Sequence, residues 1–294
     1  MQSLWMLVAC VMFALMGAGV KVAADYDANM PQIILFRGIP SVILLWAWAH
    51  KHKRSLRPSS WKAHLLRNGF GVSSMWLGFT ALSMLPLSTA ISLNYTAPLF
   101  IGVWMLFFGG TQRDPIRILA VALGFIGVVA VLRPSINEEQ LPYAMLGLTA
   151  GAFAAVAMLQ IRQLGRLGEP EWRTVFIFSC CVCVVGAVAL AVLGWAAIGW
   201  EAYAALVGIG LFGLFGQLAM TRAFGLGSAL LTAVLQYSTI IFAALIGIVF
   251  WGDLPDPIAW AGMVLIILSG LISAWRTYSE DRIMRGQTTE SAAK

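Results

Sequence analysis

Apolar residues run through this chain in long blocks with short polar interruptions, and that pattern sets its elements. Ten blocks stand out: 3–24, 31–49, 65–85, 87–108, 115–133, 142–162, 174–194, 202–223, 228–250 and 257–275. Each holds close to the roughly 20 mostly apolar residues that an α-helix needs to cross hydrocarbon, where backbone polar groups must be bonded within the segment. The connections are short. The pattern therefore predicts an all-α integral membrane protein with ten transmembrane helices and no separate soluble domain. After Trp275 the sequence changes to RTYSEDRIMRGQTTESAAK, whose composition predicts a solvated, disordered tail over 277–294.

The fourth block contains a polar interruption. Residues 92–100 read SLNYTAPLF, which puts Ser92, Asn94, Tyr95, Thr96 and Pro98 inside a run, 87–108, that carries no charge. Sliding the chain by 142 positions lays this stretch on VLQYSTIIF at 234–242. Leu93 then meets Leu235, Tyr95 meets Tyr237 and Phe100 meets Phe242. An amide precedes each tyrosine (Asn94, Gln236) and a hydroxyl follows it (Thr96, Ser238). The register extends back to Ala81 with Ala223. It runs on without a gap through Phe108 with Phe250, Gly110 with Gly252 and Asp114-Pro115-Ile116 with Asp256-Pro257-Ile258. The chain thus reads as a duplication, with one five-helix repeat over 1–135 and another over 141–276. Five is odd, so the second copy enters the membrane from the opposite side. The expectation is a pair of inverted repeats about a pseudo-two-fold axis in the membrane plane, with a substrate site near the midplane between them.

Composition and charge sharpen this picture. Of 294 residues, 60% are hydrophobic and 11% charged, with a mean hydropathy of +0.84; soluble domains carry about 25% charged residues. With the amino terminus inside, 16 of the 19 Lys and Arg residues fall on one side. They lie on the loop 50–64 with Arg67 just beyond it, on the 111–117 and 162–173 connections, at Arg222 and on the tail. The opposite loops hold Arg133 together with Asp25, Asp27, Glu138, Glu139, Glu201, Asp253 and Asp256. Lysine and arginine bias sets topology, so both termini are predicted to be cytoplasmic. The net charge of +6 is then a topology signal and implies no nucleic-acid partner. Val22-Ala23-Ala24 resembles a signal-peptide cleavage site, but the first block lacks a basic start and exceeds the usual apolar core, so it is expected to remain. His50, His52 and His64 cluster around the basic inner loop, facing lipid headgroups, without metal-ligand spacing. Cys10, Cys180, Cys181 and Cys183 read as small packing residues, with no metal and no cofactor implied.

Two cations remain inside the apolar blocks, Lys21 and Arg37. Intramembrane charge costs about 2.5–3.5 kcal/mol at a helix centre on insertion scales and marks a functional site by default. Each has a competing role: Lys21 snorkels outward or pairs with Asp25 four residues on, and Arg37 ties down backbone carbonyls. The polar pairs Asn94–Tyr95 and Gln236–Tyr237 also serve as glue between helices. Trp76 and Gln217 lie deep in the third and eighth blocks. Together Lys21, Arg37, Trp76, Asn94, Tyr95, Gln217, Gln236 and Tyr237 form the candidate substrate-binding set. No Asp or Glu falls well within an apolar block. A positive, aromatic cavity of this kind suits an anion or zwitterion, with a substrate carboxylate facing Lys21 or Arg37. Pro98 is read as a local loosening of its helix and as a hinge. Gly147, Gly151 and the GIGLFGLFG run at 208–216 provide close helix approach.

Ten spans as five plus five, the LPLSTAISLNYTAPLF run at 85–100 with its TAP at 96–98, and the early Phe36-Arg37 resemble the EamA branch of the drug/metabolite transporter superfamily. The resemblance covers the chain up to about Trp275. It implies a helical bundle with a central cavity, alternating access, and transport of small polar metabolites such as amino acids, amines or vitamins. The leading expectation is an inner-membrane secondary carrier exporting an amino-acid-like carboxylate or zwitterion. The runner-up is an importer of a vitamin or nucleoside-like compound such as riboflavin. An intramembrane enzyme lacks a His or carboxylate at depth, and a purely structural subunit would not need Lys21 and Arg37. The expected partners are a small-molecule substrate and the lipid bilayer, in a monomer or homodimer.

Overall fold

The computed structural model describes residues 4–97, 99–100, 103, 115–135, 138–226 and 235–292. Pro98, Arg133, Asn137, the 104–114 stretch, the 227–234 stretch and the last two residues of the tail therefore lie outside what is described here, in whole or at the side chain. Among the described residues there are ten α-helices and no strand. They are α1 (Trp5–Asp25), α2 (Met30–Lys51), α3 (Trp61–Met84), α4 (Leu87–Asn94), α5 (Pro115–Ser135), α6 (Leu141–Arg166), α7 (Glu171–Leu193), α8 (Trp200–Leu226), α9 (Ser238–Trp251) and α10 (Pro257–Ala292).

Local chemistry sets these boundaries. Asn29 and Gln32 form a capping box at the start of α2, each side chain accepting the other's backbone N–H at 3.0 Å, with Pro31 in the first turn. Ser60 caps α3, and Pro86 separates it from α4. Asp256 accepts the Ala259 N–H at 2.6 Å just ahead of Pro257 and so starts α10. Gly252, at φ +67°, ends α9 in the left-handed region that only glycine enters without steric cost. The next residue, Asp253, is thereby turned back over the bundle.

Among the described residues, five helical segments are long and apolar enough to cross a membrane: Trp5–Asp25, Met30–Lys51, Glu138–Arg166, Glu171–Leu193 and Trp200–Ala223. Shorter apolar stretches, Ile118–Val131, Ser238–Trp251 and Pro257–Ile272, add to them. The outer surface is oily: Val192, Val249, Leu254 and Trp200 are each at least 75% exposed, a distribution that suits lipid and not water. Past Trp275 the α10 backbone stays helical to Ala292, where composition alone predicts a disordered tail. The stretch 276–285 contains helix formers such as Glu280, Arg282 and Met284, with no Gly or Pro to stop the helix.

Helix pairing is orderly. The most extensive contacts join α5 with α10, α3 with α6, α1 with α8 and α2 with α7; α1 also packs on α9, and α4 on both α6 and α9. Between membrane helices the hydrophobic drive is absent, so small residues that allow close packing decide the seams. Gly127 and Gly262 meet across α5 and α10, with no room for a Cβ at either. In the same seam the Ser269 hydroxyl donates to the Ala120 carbonyl.

Candidate functional site

The polar interruption at 92–100 is where α4 stops. The Tyr95 N–H bonds to the Ile91 carbonyl at 2.9 Å, and Thr96 then folds its hydroxyl back to the Leu93 carbonyl at 2.6 Å. Residues 235–236 are helical, Tyr237 is a turn, and α9 restarts at Ser238, with the Ile240 N–H on the Tyr237 carbonyl and the Thr239 hydroxyl on the Gln236 carbonyl. Both polar stretches are therefore local breaks whose freed backbone groups are taken up by nearby side chains. Such breaks are tolerated at membrane depth only where protein or a cavity surrounds them.

The two breaks border one cavity of about 180 Å³. Asn94 and Tyr95 line it from the first break, and Gln236 and Thr239 from the second. Arg37 of α2 and Gln217 of α8 also belong to its polar wall, while Phe13, Met16 and Phe178 are among its apolar members. Arg37 is only 3% exposed, and its Nε has no hydrogen-bond partner. Gly213 makes room for it, since a Cβ there would overlap the guanidinium. Asn94 Oδ1 is also buried without a partner.

Five of the eight sequence-derived candidates thus meet around one space: Arg37, Asn94, Tyr95, Gln217 and Gln236. Three are elsewhere among the described residues. Lys21 Nζ lies 3.0 Å from Asp253 Oδ2 and 5.1 Å from the centre of the Trp251 ring. Its partner is Asp253 and not Asp25, because the glycine turn at the end of α9 brings Asp253 onto α1. Asp25 instead accepts the Trp251 indole N–H at 3.1 Å. Trp76 packs against the apolar core of the bundle. Tyr237 is 2% exposed, with its ring against Gly270 of α10 and its hydroxyl unpartnered.

Two residues differ from their sequence assignment to the exposed basic loop. His64 is buried, 3.4 Å from Glu169 Oε1. Glu169 also accepts the Ser59 N–H at 2.8 Å and lies 3.3 Å from Arg173. Burial opposes the Glu169 charge, but the Ser59 bond, Arg173 and His64 outweigh it and hold the carboxyl below the usual carboxylate range. Arg67, counted above as a topology charge, is 3% exposed and lines the cavity. The signal for it was present: Arg67, Gly71, Ser74 and Gly78 recur at i, i+4, i+7 and i+11, a small and polar stripe along one helix face, and all four line the cavity.

A family model for the EamA-like transporter family matches twice, over residues 1–133 and 141–275. The chain belongs to that family, within the drug/metabolite transporter superfamily. It is 30% identical over 264 residues to the pseudopaline exporter CntI of Pseudomonas aeruginosa, covering 87% of this chain and 90% of the relative. Identity to a riboflavin transporter of Vibrio cholerae is 26%, over 95% of both chains. An S-adenosylmethionine uptake transporter of Rickettsia bellii is 26% identical, over 83% of this chain and 82% of the relative. A solved crystal structure superposes with a TM-score of 0.63 at 16% identity, over 92% of this chain and 94% of that one, which supports the fold alone. The family and these relatives make the protein a multi-pass membrane transporter and not an enzyme. A transporter of this kind implies a small-molecule substrate and a lipid bilayer around it.

Proposed function

We propose that this protein is an inner-membrane secondary transporter that exports a small carboxylate-bearing or zwitterionic metabolite, amino-acid-like in character, by alternating access. The observation that carries this reading is the buried Arg37, whose Nε is unpartnered at the wall of a cavity bordered by both helix breaks. A planar guanidinium there is suited to a bidentate substrate carboxylate. Likeness to a pseudopaline exporter supports the outward direction. Likeness to riboflavin and S-adenosylmethionine uptake transporters supports a second reading, import of a vitamin or nucleoside-like compound.

Alternating access in this reading is motion between two inverted five-helix repeats, 1–135 and 141–276, with both termini cytoplasmic and the tail 277–294 beyond the second. Packing supports the repeat symmetry. Under the 142-residue offset, α3 with α6 exchanges into α8 with α1, and the helices of both pairs are in contact. Single residues follow the same exchange. The Gly127–Gly262 contact maps onto Ser269–Ala120, also a contact. Gly151 of α6 lies against the Leu93 and Asn94 carbonyls; on α1, Cys10, the neighbour of its repeat partner Ala9, donates its thiol to the matching Leu235 and Gln236 carbonyls.

Comparing metabolites in the cytosol and medium of a deletion strain and its complemented parent tests direction and class together. The expected result is one small carboxylate that accumulates inside the deletion strain and is depleted from its medium. A compound depleted inside the deletion strain and left behind in its medium would establish the import reading instead.

A further inference from the structure

The cavity wall holds a second cation besides Arg37. Arg67 is buried, and its Nε and Nη1 have no hydrogen-bond partner. The described ion pairs, Lys21–Asp253, His64–Glu169 and Arg173–Glu169, leave both cavity arginines without an acidic partner among the described residues. Arg67 lies within electrostatic reach of Arg37, so their charges repel inside one low-dielectric space. The Phe178 ring, 3.7 Å from Arg67 Cζ, attracts a cation through its face but leaves the guanidinium N–H groups unsatisfied. Gly71 and Gly213 occupy the same position in the two repeats, 142 residues apart, and each leaves the space that one guanidinium fills. Arg67 and Arg37, both in the first repeat, thus fill matching glycine spaces, one in each repeat.

A buried charge persists where something pairs with it. Two in one cavity require two opposite charges, and the described residues supply neither. We propose that the substrate carries two negative charges, one facing Arg37 and one facing Arg67, as a dicarboxylate or as a phosphate monoester. This rests on the carboxylate-carrier reading above and narrows its substrate class. A cavity of about 180 Å³ suits a small dianion. Asn94 Oδ1, unpartnered at the same wall, accepts a donor from the rest of it.

Purified full-length protein in detergent micelles provides the test, with glutarate, inorganic phosphate and butyrate as probes at matched ionic strength. Binding is read by thermal unfolding and tryptophan fluorescence. Glutarate or phosphate should bind the wild type at least about 10-fold more tightly than butyrate, and Arg67→Gln should erase that advantage, a loss of about 10- to 150-fold. Preference for glutarate assigns a dicarboxylate, and preference for phosphate a phosphate monoester. Without ligand, Arg67→Met should melt at or above the wild-type temperature, because it removes an uncompensated charge. An Arg67→Met protein that melts lower or fails to fold would make Arg67 structural and overturn the proposal. Dianions no better than butyrate, or an advantage that survives Arg67→Gln, would overturn it as well. If butyrate binds wild type and Arg67→Gln alike but not Arg37→Gln, the carboxylate-carrier reading stands while the dianion falls. Binding of no anion by any of these proteins would remove both.

Discussion

Tyr95 and Tyr237 hold the same place in the two repeats, yet their surroundings differ. Tyr237 lays its ring on Gly270, while Tyr95 lines the cavity. The repeat partner of Gly270 is Val128, a buried residue with branched bulk. A glycine opens a slot for one ring that a valine does not offer the other. Tyr95→Phe is therefore expected to weaken substrate binding about 5- to 150-fold, the loss of one buried hydrogen bond to a polar ligand. Tyr237→Phe should leave affinity unchanged and stability level or slightly raised, because its hydroxyl has no partner to lose. Equilibrium binding and thermal unfolding of both variants check this; equal losses of affinity would contradict it. The sequence made the two tyrosines equivalent because its register compares only residues along the chain, while the slot depends on another helix. Arg37, Asn94, Tyr95, Gln217 and Gln236 were legible because polar groups inside apolar blocks need a reason to be there. Arg67 was not, because two residues into its block it reads as the edge of a basic loop.

Eight of the ten apolar blocks each run with a described helix, and α4 and α9 lie along parts of the other two, because hydrocarbon length and backbone satisfaction leave a spanning segment little choice. Connections are less legible, since their contacts join residues far apart in sequence. The α6–α7 connection shows this: Glu169 is drawn in to meet Ser59, His64 and Arg173, pinning the start of α3. Its carboxyl is held below the ordinary range, so the folded state binds fewer protons at this group than the unfolded chain. The stability it contributes is full above the ordinary carboxylate value of 4.5 and is lost as pH falls through the depressed folded value. Glu169→Gln should cost about 1–3 kcal/mol at neutral pH by leaving buried partners unmatched. It should also flatten the fall in melting temperature as the pH drops below 4.5. An unchanged melt and pH profile would show that Glu169 contributes nothing to this end of the bundle.

At the scale of the molecule, the lysine and arginine bias and the repeat offset predict two inverted halves with both ends inside. A reporter fused after Lys294 or within 51–62 should behave as cytoplasmic. A cysteine placed at Asn137 should react with an impermeant reagent added from outside, and labelling only from inside would contradict the topology. The family model's two matches, over 1–133 and 141–275, fall along the halves that the gapless register marks out. Arg37 is the residue proposed to receive a substrate carboxylate. The most direct measurement is flux of the metabolite identified in the deletion strain, and of its methyl ester, into proteoliposomes of wild type and Arg37→Lys. Lysine keeps the charge but loses the two-pronged fork. The account predicts that esterification weakens transport sharply in the wild type and little in Arg37→Lys, whose transport of the free acid is already impaired. Equal loss of affinity on esterification in both proteins would contradict it.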